Sequence, residues 1–233
     1  MQLFYSQPPL EKVMILNPEE SRHAVKVLRL RKGDDISVTD GSGLIGHGIV
    51  KVPDPAGCIL EINEIKEGPG KRDYWLSIAV SPLINFERFE WFVEKAVEIG
   101  VDELTPLICE HSEKHNIKLE RLNRIVISAM KQSLNSWRPV VREPVKFRQF
   151  ITETQRGTLM IAHCSNGKKW GISELYKKGS DTTILIGPEG DFSPAEIDAA
   201  AEAGFVPVTL GSSRLRTETA GVVACHSIYF LNQ

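Results

Sequence analysis

The 233-residue chain is 42% hydrophobic and 25% charged, with 18 Gly and 13 Pro, which excludes bulk disorder and fits one or two compact globular units. A formal charge of −2 and a sequence pI of about 6.3 exclude a generally basic nucleic-acid binder, so any RNA contact has to be a local patch. No apolar run is long enough to span a bilayer, and residues 2–6 lack the charged start and apolar stretch of a signal peptide, so the cytoplasm is the expected compartment.

In chain order, Asn17-Pro18-Glu19-Glu20 predicts a helix start: Asn caps, Pro takes the first helical position and Glu returns at the third. This helix carries Arg22, His23 and Lys26, with Arg29 and Arg31 just beyond. The cluster is the most basic stretch of the N-terminal part and reads either as an RNA contact or as a solvated face. Ile36–Thr39, Ile45–Val52 and Cys58–Ile65 are short, β-branched and separated by turn residues, predicting strands. A literal G-x-G-x-x-G stands at Gly41–Gly46. A dinucleotide fingerprint needs a helix to follow it, and His47–Val52 is strand-like, so a hairpin turn is expected. Turn formers and charges cluster over residues 67–73, placing a domain boundary between a mostly β domain over 1–70 and a second domain over 74–233.

Beyond the boundary, strand and helix patterns alternate. Tyr74–Val80 and Leu104–Cys109 predict strands around a helix ending at Gly100, and residues 119–130 carry helical periodicity. Leu159–Ala162, Thr183–Ile186 and Val206–Leu210 predict strands, Ser193-Pro194-Ala195-Glu196 opens a helix, and a last helix runs from about Glu218 to Leu231. Such alternation implies an α/β domain with a parallel sheet covered on both faces.

Four cysteines, Cys58, Cys109, Cys164 and Cys225, form no Cys-x-x-Cys pair, arguing against a disulfide framework and a cysteine zinc site. His111 and His115 have i, i+4 spacing, but no Glu directly follows the first His, so no metal is expected and the segment reads as a polar loop.

Three motifs could carry chemistry. Residues 183–194 give a strand, a turn containing Gly187 and Gly190, and a capped helix, an arrangement that lets a flat ligand approach the main chain at a strand's carboxyl end. Leu210-Gly211 leads through Arg214, Leu215 and Arg216 to Thr217-Glu218-Thr219-Ala220 at the last helix start, more polar chemistry than a cap requires; a salt-bridged cap is the structural alternative. Residues 129–139 end a helix with Lys131, Gln132, Trp137 and Arg138, groups able to hold phosphates or stack a base, or to form an ordinary helix end.

Together these residues resemble the RsmE family of the SPOUT superfamily, the small-subunit ribosomal RNA uracil-N3 methyltransferases. The match covers His23, Val27–Asp34, Glu94–Val101, Pro106-Leu107, Lys131-Gln132-Ser133, Ile186–Gly190, Leu210-Gly211 and Leu215–Ala220. The resemblance implies a PUA-like β-barrel, an α/β domain with a C-terminal trefoil knot, a homodimer, and S-adenosylmethionine held by His163, Ile186, Gly187, Pro188, Glu189, Gly190, Leu210, Gly211, Leu215, Thr217 and Ala220. It implies ribosomal RNA or the small subunit as partner, bound through Arg22, His23, Arg29, Arg31, Lys131, Gln132 and Arg138. Asp191 stands where a further Gly is usual, His111 where an Arg is common, and Leu134-Asn135 replace a familiar Gly-Arg.

Methylation of uracil N3 requires loss of a proton. Glu218 is therefore the candidate proton acceptor and Arg216 the candidate for stabilising negative charge on the uracil oxygens. The competing class is a non-enzymatic RNA-binding ribosome assembly factor, which would have no use for two Gly-containing turns at adjacent strand ends.

Overall fold

A computed structural model describes residues 2–113, 116–153 and 155–233; His115 lies outside the described residues. Two compact units are present, one built from Met1–Lys71 with Ile127–Arg138, the other from Arg72–Val126 with Pro139–Gln233. The sequence reading assigned all of 127–138 to the second domain.

The first unit contains β1 (Leu3–Tyr5), β2 (Val13–Ile15), α1 (Pro18–Arg22), β3 (Asp35–Thr39), β4 (Leu44–Val52) and β5 (Ile59–Glu67). Asn17 caps α1 as expected, its side chain accepting from the Glu20 N–H at 2.9 Å. The helix then widens into a π-turn over His23–Val27, closed by the Leu28 N–H on the His23 carbonyl at 3.0 Å, and Arg29 follows with φ +58°. Nothing in the hydrophobic spacing predicts this widening. The strands hydrogen-bond in the order β1-β3-β4-β5-β2. Antiparallel β3 and β4 pair Thr39 with Ile45 and Val38 with Gly46, so the G-x-G-x-x-G segment is the hairpin connection its flanks predict. Phe4, Leu16, Ala24, Val38, Val50 and Leu60 fill the core beneath.

Residues 136–138 are stitched into this unit through the backbone. Gly43 N–H donates to the Ser136 carbonyl at 2.9 Å, Ser136 N–H to that of Pro69 at 3.1 Å, and Arg138 N–H to that of Gly41 at 2.9 Å. The Trp137 indole lies so close over Gly43 that any side chain there would collide with it.

The second unit contains β6 (Leu76–Val80), α2 (Phe86–Ile99), β7 (Glu103–Ile108), most of α3 (Leu119–Gln132), β8 (Val140–Val141), β9 (Val145–Lys146), α4 (Phe147–Thr152), β10 (Thr158–Ala162), β11 (Trp170–Gly171), α5 (Ile172–Leu175), β12 (Thr182–Ile186), α6 (Pro194–Glu202), β13 (Val206–Thr209) and α7 (Thr217–Leu231). The parallel order is β11-β13-β10-β12-β6-β7-β8, with β9 also on β7. Strands covered on both faces read as mostly apolar without alternation; β6 and β12 are buried at every position, their only polar side chains being the hydroxyls of Ser77, Thr182 and Thr183. No helix among the described residues is long and apolar enough to cross a membrane.

Candidate cofactor cleft

Parallel strands send their exit loops to one edge of the sheet, where ligands of such folds bind. β10 stands between β12 and β13, so the two Gly-containing turns read from the sequence do not leave adjacent strands: the exit of β10 lies between them. The three exits line one cleft of about 880 Å³, within the size range of small-molecule sites.

His163 and Cys164, after β10, line this cleft, as do Ile186 at the end of β12 and Gly187, Pro188 and Glu189 after it. From the β13 exit and the start of α7 come Leu210, Gly211, Leu215 and Arg216, followed by Thr217, Glu218 and Ala220. Gly211 has φ +126° and nothing within 4 Å of where a Cβ would sit, so the backbone itself requires glycine there. Gly190 is not among the lining residues: a Cβ on it would approach His111 Cβ at 3.2 Å. A Cβ on Gly187 would meet the Phe192 ring at 3.0 Å. These two glycines therefore accommodate neighbouring side chains.

Both ring nitrogens of His163 are buried without a hydrogen-bond partner, an unusual state for polar atoms in a folded protein. Burial, and then the Lys169 ammonium, lower its pKa below the ordinary imidazole value of 6.5, opposed by Asp191. A neutral ring here offers one donor and one acceptor.

Glu218 is 9% exposed and occupies the first turn of α7, where a negative charge interacts favourably with the helix dipole. Its Oε1 faces Arg88 Nη1 of α2 at 3.9 Å. Arg88, which also lines the cleft, was not singled out in the sequence because its partner is 130 positions away. Arg216 is exposed and its side chain makes no cap hydrogen bond, so the ion pair at this helix start runs from Glu218 to Arg88 of α2 and does not involve Arg216.

All seven candidate RNA contacts belong to the first unit. Arg22, Arg29, Arg31 and Gln132 are exposed, and His23 is half-buried with its ring 5.8 Å from that of Phe4. Arg138 holds its guanidinium 5.9 Å from the Tyr5 ring centroid and donates to Tyr5 Oη at 3.2 Å. Lys131 instead forms an ion pair with Glu20, the two side chains 18% and 7% exposed. That cation is engaged in holding the unit together. Among the described residues no group of three or more His, Cys, Asp or Glu side chains gathers as metal ligands would.

Residues 72–229 match the RNA methyltransferase domain family, and residues 16–63 the RNA methyltransferase PUA domain family. The ribosomal RNA small subunit methyltransferase E of Aquifex aeolicus is 30% identical over 95% of this chain and 96% of its own. The crystal structure of a probable rRNA-methyltransferase from Porphyromonas gingivalis is 42% identical, with a TM-score of 0.92 over 100% of this chain and 98% of that one. A ribosomal RNA small subunit methyltransferase E from Neisseria gonorrhoeae, bound to S-adenosyl methionine, is 28% identical with a TM-score of 0.84, covering 99% and 98%.

Proposed function

The chain belongs to the RNA methyltransferase family, among the ribosomal RNA small subunit methyltransferases E, and from that premise we propose that it places a methyl group on N3 of one uracil of 16S ribosomal RNA. It is an S-adenosylmethionine-dependent enzyme of small-subunit ribosomal RNA.

The observation that carries the reading is the three-walled cleft with His163 in it. Its volume suits a nucleoside-sized ligand, and the two unpartnered imidazole nitrogens are satisfied if such a ligand supplies an acceptor and a donor. S-adenosylmethionine supplies a methyl group already activated on a sulfonium. Backbone groups of residues 186–188 and 210–211, with Leu215, Thr217 and Ala220, hold it beside His163, while Glu189 lies at the exposed rim. Glu218 takes the N3 proton as the methyl–nitrogen bond forms, and Arg216 stabilises the negative charge that develops on the uracil oxygens. Positioning makes up the rest of the catalysis. A non-enzymatic assembly factor would leave the cleft and its orphaned imidazole without a purpose.

The exposed cations Arg22, Arg29 and Arg31, with Gln132 and Arg138, hold RNA through phosphates, so the first unit binds RNA and the second performs the chemistry. The first unit closes as a PUA-like barrel, and the stretch from β12 to α7 forms a trefoil knot, supported by consecutive strands β12 and β13 straddling β10. The enzyme acts in the cytoplasm as a homodimer. Phe230, 67% exposed on α7, and Trp91, 46% exposed on α2, are large apolar groups suited to an interface. Ile228, on the same helix as Phe230, is fully buried within its own unit.

The test is to incubate 16S ribosomal RNA from cells lacking the enzyme with the protein and S-adenosylmethionine, then to identify the modified nucleoside by mass spectrometry. N3-methyluridine is expected. A methyl group on another atom overturns the N3 assignment.

A further inference from the structure

Asp191 stands in a backbone conformation that side chains rarely adopt, with φ +63°, in the left-handed region where Asp and Asn are the best tolerated residues after Gly. Its carboxylate accepts two main-chain hydrogen bonds. Oδ1 takes the Phe192 N–H at 2.9 Å, a local contact. Oδ2 takes the Cys164 N–H at 2.8 Å, joining the exit of β12 to that of β10. The Asp191 carbonyl oxygen also lies 3.0 Å from His111 Nδ1, just beyond β7. One residue thus touches three loops, two of them walls of the cleft, and the amide it grips belongs to the residue directly after His163.

We propose that Asp191 is a positioning residue that fixes the His163 loop against the turn after β12 and so presents a preformed cofactor cleft. The inference rests on the cofactor reading given above. Charge-assisted bonds from a carboxylate to backbone N–H groups are among the stronger protein hydrogen bonds. A wall ordered before binding does not have to be ordered by the ligand, so preorganisation appears directly in affinity. Glycine at this position would adopt the same φ without strain but could not hold the two N–H groups.

The test is calorimetric titration of wild type, Asp191→Gly and Asp191→Asn with S-adenosylhomocysteine, beside methyl transfer at varied S-adenosylmethionine. Asp191→Gly keeps the backbone preference and removes both acceptors, and is expected to weaken binding about tenfold or more. Asp191→Asn keeps one acceptor oxygen without the charge and should fall between. KM for S-adenosylmethionine should rise while the rate at saturation stays near wild type, a split that general destabilisation would not give. If wild type fails to bind S-adenosylhomocysteine, the cofactor reading is wrong and the inference falls with it. If wild type binds and both variants bind equally well, the cofactor reading stands and the positioning role is overturned. Where Asp191→Gly does not fold, Asp191→Asn decides by whether its affinity is lowered or equal to wild type.

Discussion

Thr217 Oγ1 donates a 3.0 Å hydrogen bond to the carbonyl oxygen of Gly187, fastening the first residue of α7 to the turn after β12. Two cleft walls separated by β10 are thereby joined through one buried hydroxyl. Thr217→Val keeps the shape and leaves the Gly187 carbonyl without that donor, so a stability loss of roughly 1–3 kcal/mol is expected, with Thr217→Ser closer to wild type. Urea denaturation measures it; equal stability of Val and wild type would mean that the bond contributes nothing.

Glu218→Gln removes the proton acceptor and nearly preserves the volume. Single-turnover methyl transfer should fall by about 10²–10⁴-fold while affinity for S-adenosylhomocysteine and RNA persists. A variant as fast as wild type would reduce Glu218 to a partner of Arg88, and the proton would need another acceptor.

The cations of the first unit should separate into two kinds. Replacing Arg29 and Arg31 together by Ala should weaken RNA binding and flatten its dependence on salt, because phosphate contacts release counterions, with no change in cofactor affinity. Lys131→Ala should act on stability, since it leaves the buried Glu20 carboxylate with the Tyr5 N–H at 3.4 Å but without its cation; the loss should fall somewhat below the roughly 3–5 kcal/mol of a fully buried pair, because Lys131 is 18% exposed. RNA affinity at two salt concentrations and a melting curve distinguish them. An undiminished melting temperature for Lys131→Ala would contradict a structural ion pair.

Much of this site could be read from sequence because its glycines, its capped helix starts and its polar loop follow local rules. The capping residues Asn17 and Ser193, the Gly100 terminus and the strands β10, β12 and β13 are set within a few neighbours, and their boundaries agree with the sequence to within a residue or two. What could not be read is long-range. β1 and β2 are three residues long and are specified by distant partners, as is the order that puts β10 between β12 and β13. The Arg88–Glu218 pairing and the engagement of Lys131 with Glu20 are likewise invisible to any local window. Gly190 shows the converse: a glycine in a ligand-binding pattern whose missing side chain makes room for His111.

Of the four cysteines, Cys58, Cys109 and Cys225 are buried and Cys164 is exposed. Burial pushes the Cys225 thiol up to about 12, and burial raises Cys109 as well, so both stay protonated and unreactive. One thiol per native chain should titrate with a thiol reagent. Since Cys164 lines the cleft, S-adenosylhomocysteine should slow that reaction; an unchanged rate at saturating ligand would place the ligand away from the β10 exit.

His163 gives a pH dependence whose sign follows from its lowered pKa. The unfolded chain takes up a proton near pH 6.5 and the folded chain only below that value. Stability is therefore unaffected by this group above about 6.5 and declines as pH falls from there towards the folded pKa. His163→Gln should flatten the slope of melting temperature between about pH 7 and pH 5. An identical slope in the variant would show that other groups set it.

Because residues 136–138 supply backbone partners to Gly41, Gly43 and Pro69, the unit that begins at the N-terminus is not complete when its first 71 residues have been synthesised. The ribosome must add the strands and helix of residues 72–126 before the missing piece emerges, so the part translated first waits for its last segment while chain of the other unit is made. During that interval the hairpin of β3 and β4 waits with Gly43 uncovered, its rate of completion set by closing a long loop rather than by any local preference. Cutting the gene between the two units would, for the same reason, divide neither of them cleanly.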